Sequence, residues 1–212
     1  MPNDSNSAGP AAGRNGTGRR RVGILGDTFD PPHIGHLVVA VDVADSLQLD
    51  EMVLMVAGDP WQKHEQHVSP AADRLAMVEA AVAGVAGLSA GRDEVDRSGP
   101  TYTVETLEAL RAAEPDVERF LVLGTDAAAG LTTWHRWEDL ADLATVVVVD
   151  RPGSLDPSGP LAVPAVRVPV PQVELSSTEL RERVAEGRSV RFLVPDAVCA
   201  VVEERGLYGG PR

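Results

Sequence analysis

Two histidines, His33 and His36, stand three positions apart in the string Gly26-Asp27-Thr28-Phe29-Asp30-Pro31-Pro32-His33-Ile34-Gly35-His36-Leu37. The apolar run Val22-Gly23-Ile24-Leu25 precedes the string, and an apolar stretch from Leu37 to Val43 follows it. That order predicts a strand, a glycine-containing turn and a helix. A helix N-terminus carries unpaired N–H groups and a partial positive charge, so it attracts phosphate. Imidazoles placed there donate hydrogen bonds to phosphoryl oxygens without a fixed full charge. The pattern suits stabilisation of a pentavalent phosphorus. A second constellation, Leu175-Ser176-Ser177-Thr178-Glu179-Leu180-Arg181, sets three hydroxyls at another helix start with an arginine one turn inside. It reads as a second phosphate cradle.

The elements that must hold these groups follow from the apolar pattern. From Arg21 onward, short apolar runs alternate with amphipathic segments, as βαβ units do. Strands are expected at 22–25, 52–57, 120–123 and 145–149. Their near-continuous apolar character predicts a mostly parallel sheet covered on both faces, hence an α/β, doubly wound fold. Helices are expected at 35–46, from Ser69-Pro70 to about Gly84, at 103–113, at 137–143, at 177–186, and from Pro195 to Arg205-Gly206. Ser69, Thr103 and Ser177 are the expected caps. Residues 152–171, rich in proline and glycine, predict an extended loop around an edge strand. Residues 1–20 predict a disordered tail, and residues 21–212 a single domain.

Composition limits the function classes. The chain has 212 residues, 43% apolar and 24% charged, which suits a globular protein with a substantial core. It holds no run of eighteen or more apolar residues, so no membrane span is expected. The single cysteine, Cys199, excludes an internal disulfide and lies in an apolar run, where a buried thiol is expected. A cytoplasmic setting fits. The net charge of −13 argues against nucleic acid as the main partner. It leaves room for a small anion in one locally basic pocket.

The first string resembles the [TH]-x-G-H signature of the nucleotidyltransferase superfamily, in the Gly-x-Phe-Asp-Pro-x-His-x-Gly-His form of nucleotide adenylyltransferases. The second resembles the Ile-Ser-Ser-Thr-x-[IV]-Arg motif of the same superfamily, with Leu175 in place of isoleucine. Pro60-Trp61-Gln62-Lys63 resembles the actinobacterial version of the Pro-His-Lys segment of nicotinate-mononucleotide adenylyltransferases. The segment from Ser98 to Leu107, containing Tyr102-Thr103, resembles their Ser-Tyr-Thr-x-x-Thr-Leu motif. Gly124-Thr125-Asp126 and Thr133-Trp134-His135 resemble their Gly-x-Asp and Thr-Trp elements. The likeness runs from about Arg21 to Tyr208.

The resemblance implies a Rossmann-like fold and transfer of the adenylyl group of ATP to nicotinate mononucleotide, giving deamido-NAD and pyrophosphate. It implies that His33, His36, Lys63 and Arg181 face the phosphates. Gly26, Thr28, Phe29, Gly35, Gly124, Asp126, Ser176, Ser177 and Thr178 are then expected at the ATP, and Tyr102, Thr103, Trp134 and His135 at the acceptor. The implied metal is Mg²⁺ travelling with ATP; no site held by protein ligands alone is expected. Zinc on His33, His36, His64 and His67 is not expected, for want of cysteine or carboxylate partners at suitable spacing. Expected partners are ATP and a pyridine mononucleotide, not nucleic acid or a membrane, with a homo-oligomer left open. Two departures stand out: Asp27 where the family usually has a second glycine, and Pro32 where isoleucine or valine is commoner. They keep open a nicotinamide or modified pyridine acceptor, or a catalytically weak nucleotide-binding regulator.

Overall fold

The computed structural model describes residues 18–59, 68–150, 161–171 and 173–209. Its strands are β1 (Arg21–Asp27), β2 (Glu51–Val56), β3 (Leu88–Gly91), β4 (Glu118–Gly124), β5 (Thr145–Asp150) and β6 (Ala165–Pro169). Its helices are α1 (Ile34–Ser46), α2 (Ala71–Val82), α3 (Thr103–Ala113), α4 (Thr125–Ala129), α5 (Leu140–Leu143), α6 (Ser177–Ala185) and α7 (Asp196–Arg205). The strands form one six-stranded sheet in the order β3-β2-β1-β4-β5-β6. Every neighbouring pair is parallel. The chain winds outward from β1 to β3, then crosses to β4 and winds outward to β6. Between β1 and β4 the direction reverses, and a doubly wound sheet opens a crevice there at the carboxyl ends of its strands.

A strand sends successive side chains to opposite faces. Leu25, Val122, Val147 and Val149 accordingly meet Ala40 and Val43 of α1 and Leu75 and Val78 of α2. Ile24, Leu121, Val146 and Val148 meet Val104 and Leu107 of α3 and Leu140 of α5 on the other face. This is why the strands read as unbroken apolar runs. Each such side chain contributes about 2 kcal/mol on burial. A third cluster joins Met77 and Ala81, on the far side of α2, to Leu180 of α6 and Val198 and Val202 of α7. It brings the Ser-Ser-Thr segment back to the histidine loop.

The four expected strands are present, each within two residues of its expected bounds at both ends. β3 was not foreseen. Leu88-Ser89-Ala90-Gly91 has no apolar run; it is a strand because β2 offers an open edge, pairing Met52 with Leu88 and Met55 with Gly91. β6 is the edge strand expected within 152–171, and it ends on Pro169, which an edge tolerates. Residues 151–160 of that stretch, and 1–17 of the expected tail, lie outside the described residues.

The expected caps need correction. Pro70, not Ser69, precedes α2, and Tyr102, not Thr103, precedes α3; neither cap makes a side-chain bond. Ser176, not Ser177, caps α6, its hydroxyl accepting from the Glu179 N–H at 3.2 Å. Ser69 and Ser177 are taken by the loop of Asp30 and Pro31 instead. Among the described residues no helix is long and apolar enough to cross a membrane.

Candidate active site

The turn after β1 carries the two histidines into the first turn of α1. His33 immediately precedes the helix with extended backbone. The His33 N–H donates to His36 Nδ1 at 3.1 Å, in the manner of a capping box. The two rings stack with centroids 3.7 Å apart. Gly35 makes this possible: a Cβ there would stand 3.0 Å from the His33 ring. With Nδ1 accepting, neutral His36 carries its proton on Nε2, an assignment drawn from the hydrogen-bond network. That atom lies 3.3 Å from Asp27 Oδ2. The other Asp27 oxygen, Oδ1, accepts from the Thr28 N–H at 2.5 Å.

α6 docks its first turn on the same loop. Ser177 Oγ donates to the Pro31 carbonyl at 2.9 Å, and Arg181 donates to the Asp30 carbonyl at 2.8 Å. A second Arg181 nitrogen reaches Thr178 Oγ1 at 3.2 Å. The two phosphate-type helix starts, remote in sequence, thus face one another. A cavity of about 220 Å³ lies between them, lined by Asp27, Thr28, His33, His36, Ser176–Thr178 and Arg181 among others.

A second cavity, of about 340 Å³, opens on the other side of Asp27 and Thr28. Gly26, Gly124 and Asp126 line it at the carboxyl ends of β1 and β4, and Tyr102, Thr103, Trp134 and His135 line its outer wall. A Cβ at Gly26 or Gly124 would meet no protein atom within 4 Å, so each leaves open space in front of the backbone. The Tyr102 and His135 rings touch, with centroids 4.5 Å apart, tying the Trp134 loop to the start of α3. Arg136 reinforces that tie by donating to Glu108 of α3 at 2.7 Å.

The structure therefore gathers the expected residues into two adjoining cavities, with three exceptions. Phe29 lines neither cavity; it is 1% exposed, and its ring meets His36 edge-on, so its side chain props the histidine from the core. Gly35 also lies behind the site, giving room to His33. Lys63 falls outside the described residues, with the rest of the Pro60–His67 segment.

Four residues near the site carry more than their sequence context suggests. Arg74, 1% exposed on α2, donates to the carbonyls of Ser69, Thr28, Ala57 and Gly58. Burial pulls its pKa down, with Asp30 the largest opposing influence. Asp30, 2% exposed, accepts from the Ser69 N–H at 2.9 Å and from Tyr208 Oη at 2.7 Å. Burial pushes the Tyr208 phenol up, and the Asp30 charge adds to the shift. Glu94, on the wall of the larger cavity, accepts from Thr106 Oγ1 at 2.8 Å. Burial raises its pKa more than hydrogen bonds from Thr106 and Thr101 lower it. Gly58 leans so close to this segment that a Cβ would stand 2.1 Å from the Glu94 carbonyl oxygen. A lone arginine on an otherwise apolar face of α2 was the one available sequence signal for Arg74. Nothing local marked Glu94, and Tyr208 was marked only by the likeness of Leu207-Tyr208 to the family's closing segment.

Parallel sheet, switch-point crevice and paired helix starts define a doubly wound α/β protein with an anion-binding centre. Comparisons agree. The cytidylyltransferase-like family model matches residues 24–183. A probable nicotinate-nucleotide adenylyltransferase of Acidothermus cellulolyticus is 43% identical over 204 residues, covering 91% of this chain and 96% of the relative. One from Streptomyces coelicolor is 46% identical over 187 residues, covering 88% of this chain and all of the relative. A solved structure of Plasmodium falciparum nicotinic acid mononucleotide adenylyltransferase, complexed with NaAD, aligns with a TM-score of 0.73. It is 15% identical and covers 91% of this chain and 98% of that one, a likeness of fold. The chain belongs to the cytidylyltransferase-like family and, within it, to the nicotinate-nucleotide adenylyltransferases.

Proposed function

We propose that this protein transfers the adenylyl group of ATP to nicotinate mononucleotide, as a step in making NAD. The observation that carries the reading is the meeting of two unlike cavities at Asp27 and Thr28. The smaller one is lined by hydroxyls, imidazoles and a guanidinium, which suits a triphosphate. The larger one has an apolar body, the start of α3 and the face of Trp134, which suits a ring bearing a carboxylate. The positive end of α3 favours a carboxylate over a neutral carboxamide, and hence nicotinate over nicotinamide.

An acceptor phosphate oxygen attacks the α-phosphorus of ATP. A new O–P bond forms, the bond from the α-phosphorus to the bridging oxygen breaks, and pyrophosphate leaves with that electron pair. The acceptor phosphate is already an anion, so no strong general base is needed. Catalysis comes from alignment and from donors aimed at the phosphoryl oxygens. His33 and His36 supply imidazole donors. Arg181, with Lys63 from the segment after β2, neutralises the triphosphate. Ser176, Ser177 and Thr178 add hydroxyl and N–H donors, Asp126 accepts from a ribose, and Tyr102, Thr103, Trp134 and His135 hold the pyridine nucleotide.

Among the described residues no group of three or more histidine, cysteine and acidic side chains is placed to hold a metal. Asp27 and Asp30 line the phosphate cavity, and the Asp30 carboxylate is engaged by the Ser69 N–H and the Tyr208 hydroxyl. Asp27 is the carboxylate that would face Mg²⁺, which keeps phosphate oxygens and water as its main ligands. Bound with ATP, Mg²⁺ would offset phosphate charge. The setting expected for the enzyme is the cytoplasm.

The test is pyrophosphate release with ATP, Mg²⁺ and either nicotinate or nicotinamide mononucleotide, with the dinucleotide identified by mass. Faster release with the nicotinate form supports the reading. Release only with another pyridine nucleotide replaces the acceptor, and silence with every acceptor despite ATP binding overturns transfer.

A further inference from the structure

We propose that Glu94 is a positioning residue for the acceptor: from the wall of the larger cavity its carboxyl group holds the residues on either side of Tyr102-Thr103, and so presents the start of α3 to the bound nucleotide. This rests on the acceptor reading of that cavity.

α3 begins without help from its own cap residue. Tyr102 precedes the helix in extended backbone and makes no side-chain cap bond. That leaves the first-turn amides to a ligand rather than to the cap, but it also leaves Tyr102-Thr103 without a local anchor. Glu94 supplies one. It is 9% exposed and belongs to the segment between β3 and α3. Its Oε1 accepts from Thr106 Oγ1 at 2.8 Å, one turn inside α3, and its carboxyl group also bonds the Thr101 hydroxyl, two residues before the helix. One carboxyl group thus grips the chain on both sides of Tyr102-Thr103.

The grip is directed. Arg97 donates to the Thr106 hydroxyl oxygen at 2.6 Å, which leaves the single Thr106 proton for Glu94; the Tyr102 carbonyl is farther away, at 3.4 Å. The anchor is itself seated. Gly58 packs against the Glu94 carbonyl, and Thr101 Oγ1 lies 3.4 Å from the Asp59 carbonyl, so this corner rests on the segment after β2. Tyr102 in turn touches the His135 ring, which carries the arrangement to the Trp134 loop. Glu94, Thr101 and Thr106 line the larger cavity and not the smaller one. Loosening them should therefore be felt by the acceptor. Binding would first have to order the start of α3, and that ordering subtracts from affinity.

The experiment is steady-state pyrophosphate release by the wild type, E94Q and E94A, with ATP and nicotinate mononucleotide varied separately and a melting curve to check folding. Glutamine can accept from Thr106 and donate to Thr101, so E94Q keeps both bonds and loses only the charge. E94A should raise the Michaelis constant for the mononucleotide about tenfold, the scale of two lost hydrogen bonds, while kcat and the constant for ATP move far less. E94Q should stay close to the wild type, a rescue that a need for charge would not allow. Amide exchange over residues 101–106 should quicken in E94A and not in E94Q. If E94A fails to fold, Thr106→Val, which keeps the shape and removes one bond, should raise the same constant and not that for ATP. An unchanged acceptor constant in the variant that folds, an equal rise in the constant for ATP, unchanged amide exchange, or an E94Q that behaves like E94A overturns the proposal alone. Silence of the wild type with every pyridine mononucleotide overturns the acceptor reading and the proposal together.

Discussion

Tyr208 donates its phenolic proton to the Asp30 carboxylate at 2.7 Å, across 178 residues of sequence. The bond ties the end of the described chain to the loop that carries His33. Asp30 in turn holds the Ser69 amide, and its carbonyl holds Arg181. One buried residue thus connects the turn after β1, the approach to α2, the start of α6 and the last turn, through its carboxylate and its carbonyl.

Replacing Tyr208 with phenylalanine removes that bond and leaves a buried carboxylate short of one donor. The expected loss of stability is about 1–3 kcal/mol. Urea denaturation reads it directly, and an unchanged midpoint would show that the bond contributes nothing. Arg181 should also grip less firmly, so ATP affinity should fall in the same variant.

Arg74→Met should cost more. Four carbonyls on three segments lose their donor at once. A loss of roughly 3–5 kcal/mol is expected, enough to unfold a marginal protein at 37 °C. Arg74→Lys keeps the charge but not the planar fork. It should recover less than half of the loss. Full recovery by lysine would mean that charge, not geometry, is what the site needs.

His36→Ala should lower turnover about 10²–10³-fold while changing ATP affinity only a few-fold, because its donor acts on charge developing in the transition state. Single-turnover kinetics beside a binding titration separate the two effects. Equal turnover in variant and wild type would remove His36 from the chemistry.

Trp134→Ala should raise the Michaelis constant for the pyridine mononucleotide about fivefold, the scale of one aromatic stacking contact. The constant for ATP should stay put, since Trp134 lines only the larger cavity. A rise in both would place the indole elsewhere in the binding path.

Glu94 makes stability depend on pH. Burial raises its pKa in the folded protein, so the folded state holds this proton more tightly than the unfolded chain does. Between the ordinary carboxylate pKa and the raised one, the unfolded chain has already released it. Stability from this group therefore falls as pH climbs through that window. Glu94→Gln removes the dependence. The stability of the wild type minus that of the variant should decrease from acid toward neutral pH, and a flat difference would show that Glu94 titrates alike in both states.

Much was legible from local chemistry. Val22–Leu25 and the valines before Asp150 announce buried parallel strands because a sheet covered on both faces needs apolar residues at every position. The spacing of His33, Gly35 and His36, and the run Ser176 to Arg181, announce anion-binding helix starts because caps and first turns are set by neighbours in sequence. Ser177 was misread by one residue because either adjacent serine can cap; the choice fell to Ser176 only when Ser177 found the Pro31 carbonyl. β3 escaped notice because Leu88–Gly91 is a strand by pairing and not by propensity.

By itself the sequence determined the order of elements, the two phosphate-type helix starts and the presence of a carboxylate at position 27. Those depend on periodicity and short-range hydrogen bonds. Tertiary structure decided that α6 faces α1, that Phe29 props a histidine from inside the core, that Glu94 and Arg74 are buried, and that Asp27 turns toward His36 and the Thr28 amide. Each depends on which surfaces the third cluster and the sheet bring together. Burial and charge pairing between segments many tens of residues apart leave no mark on the local pattern of either one.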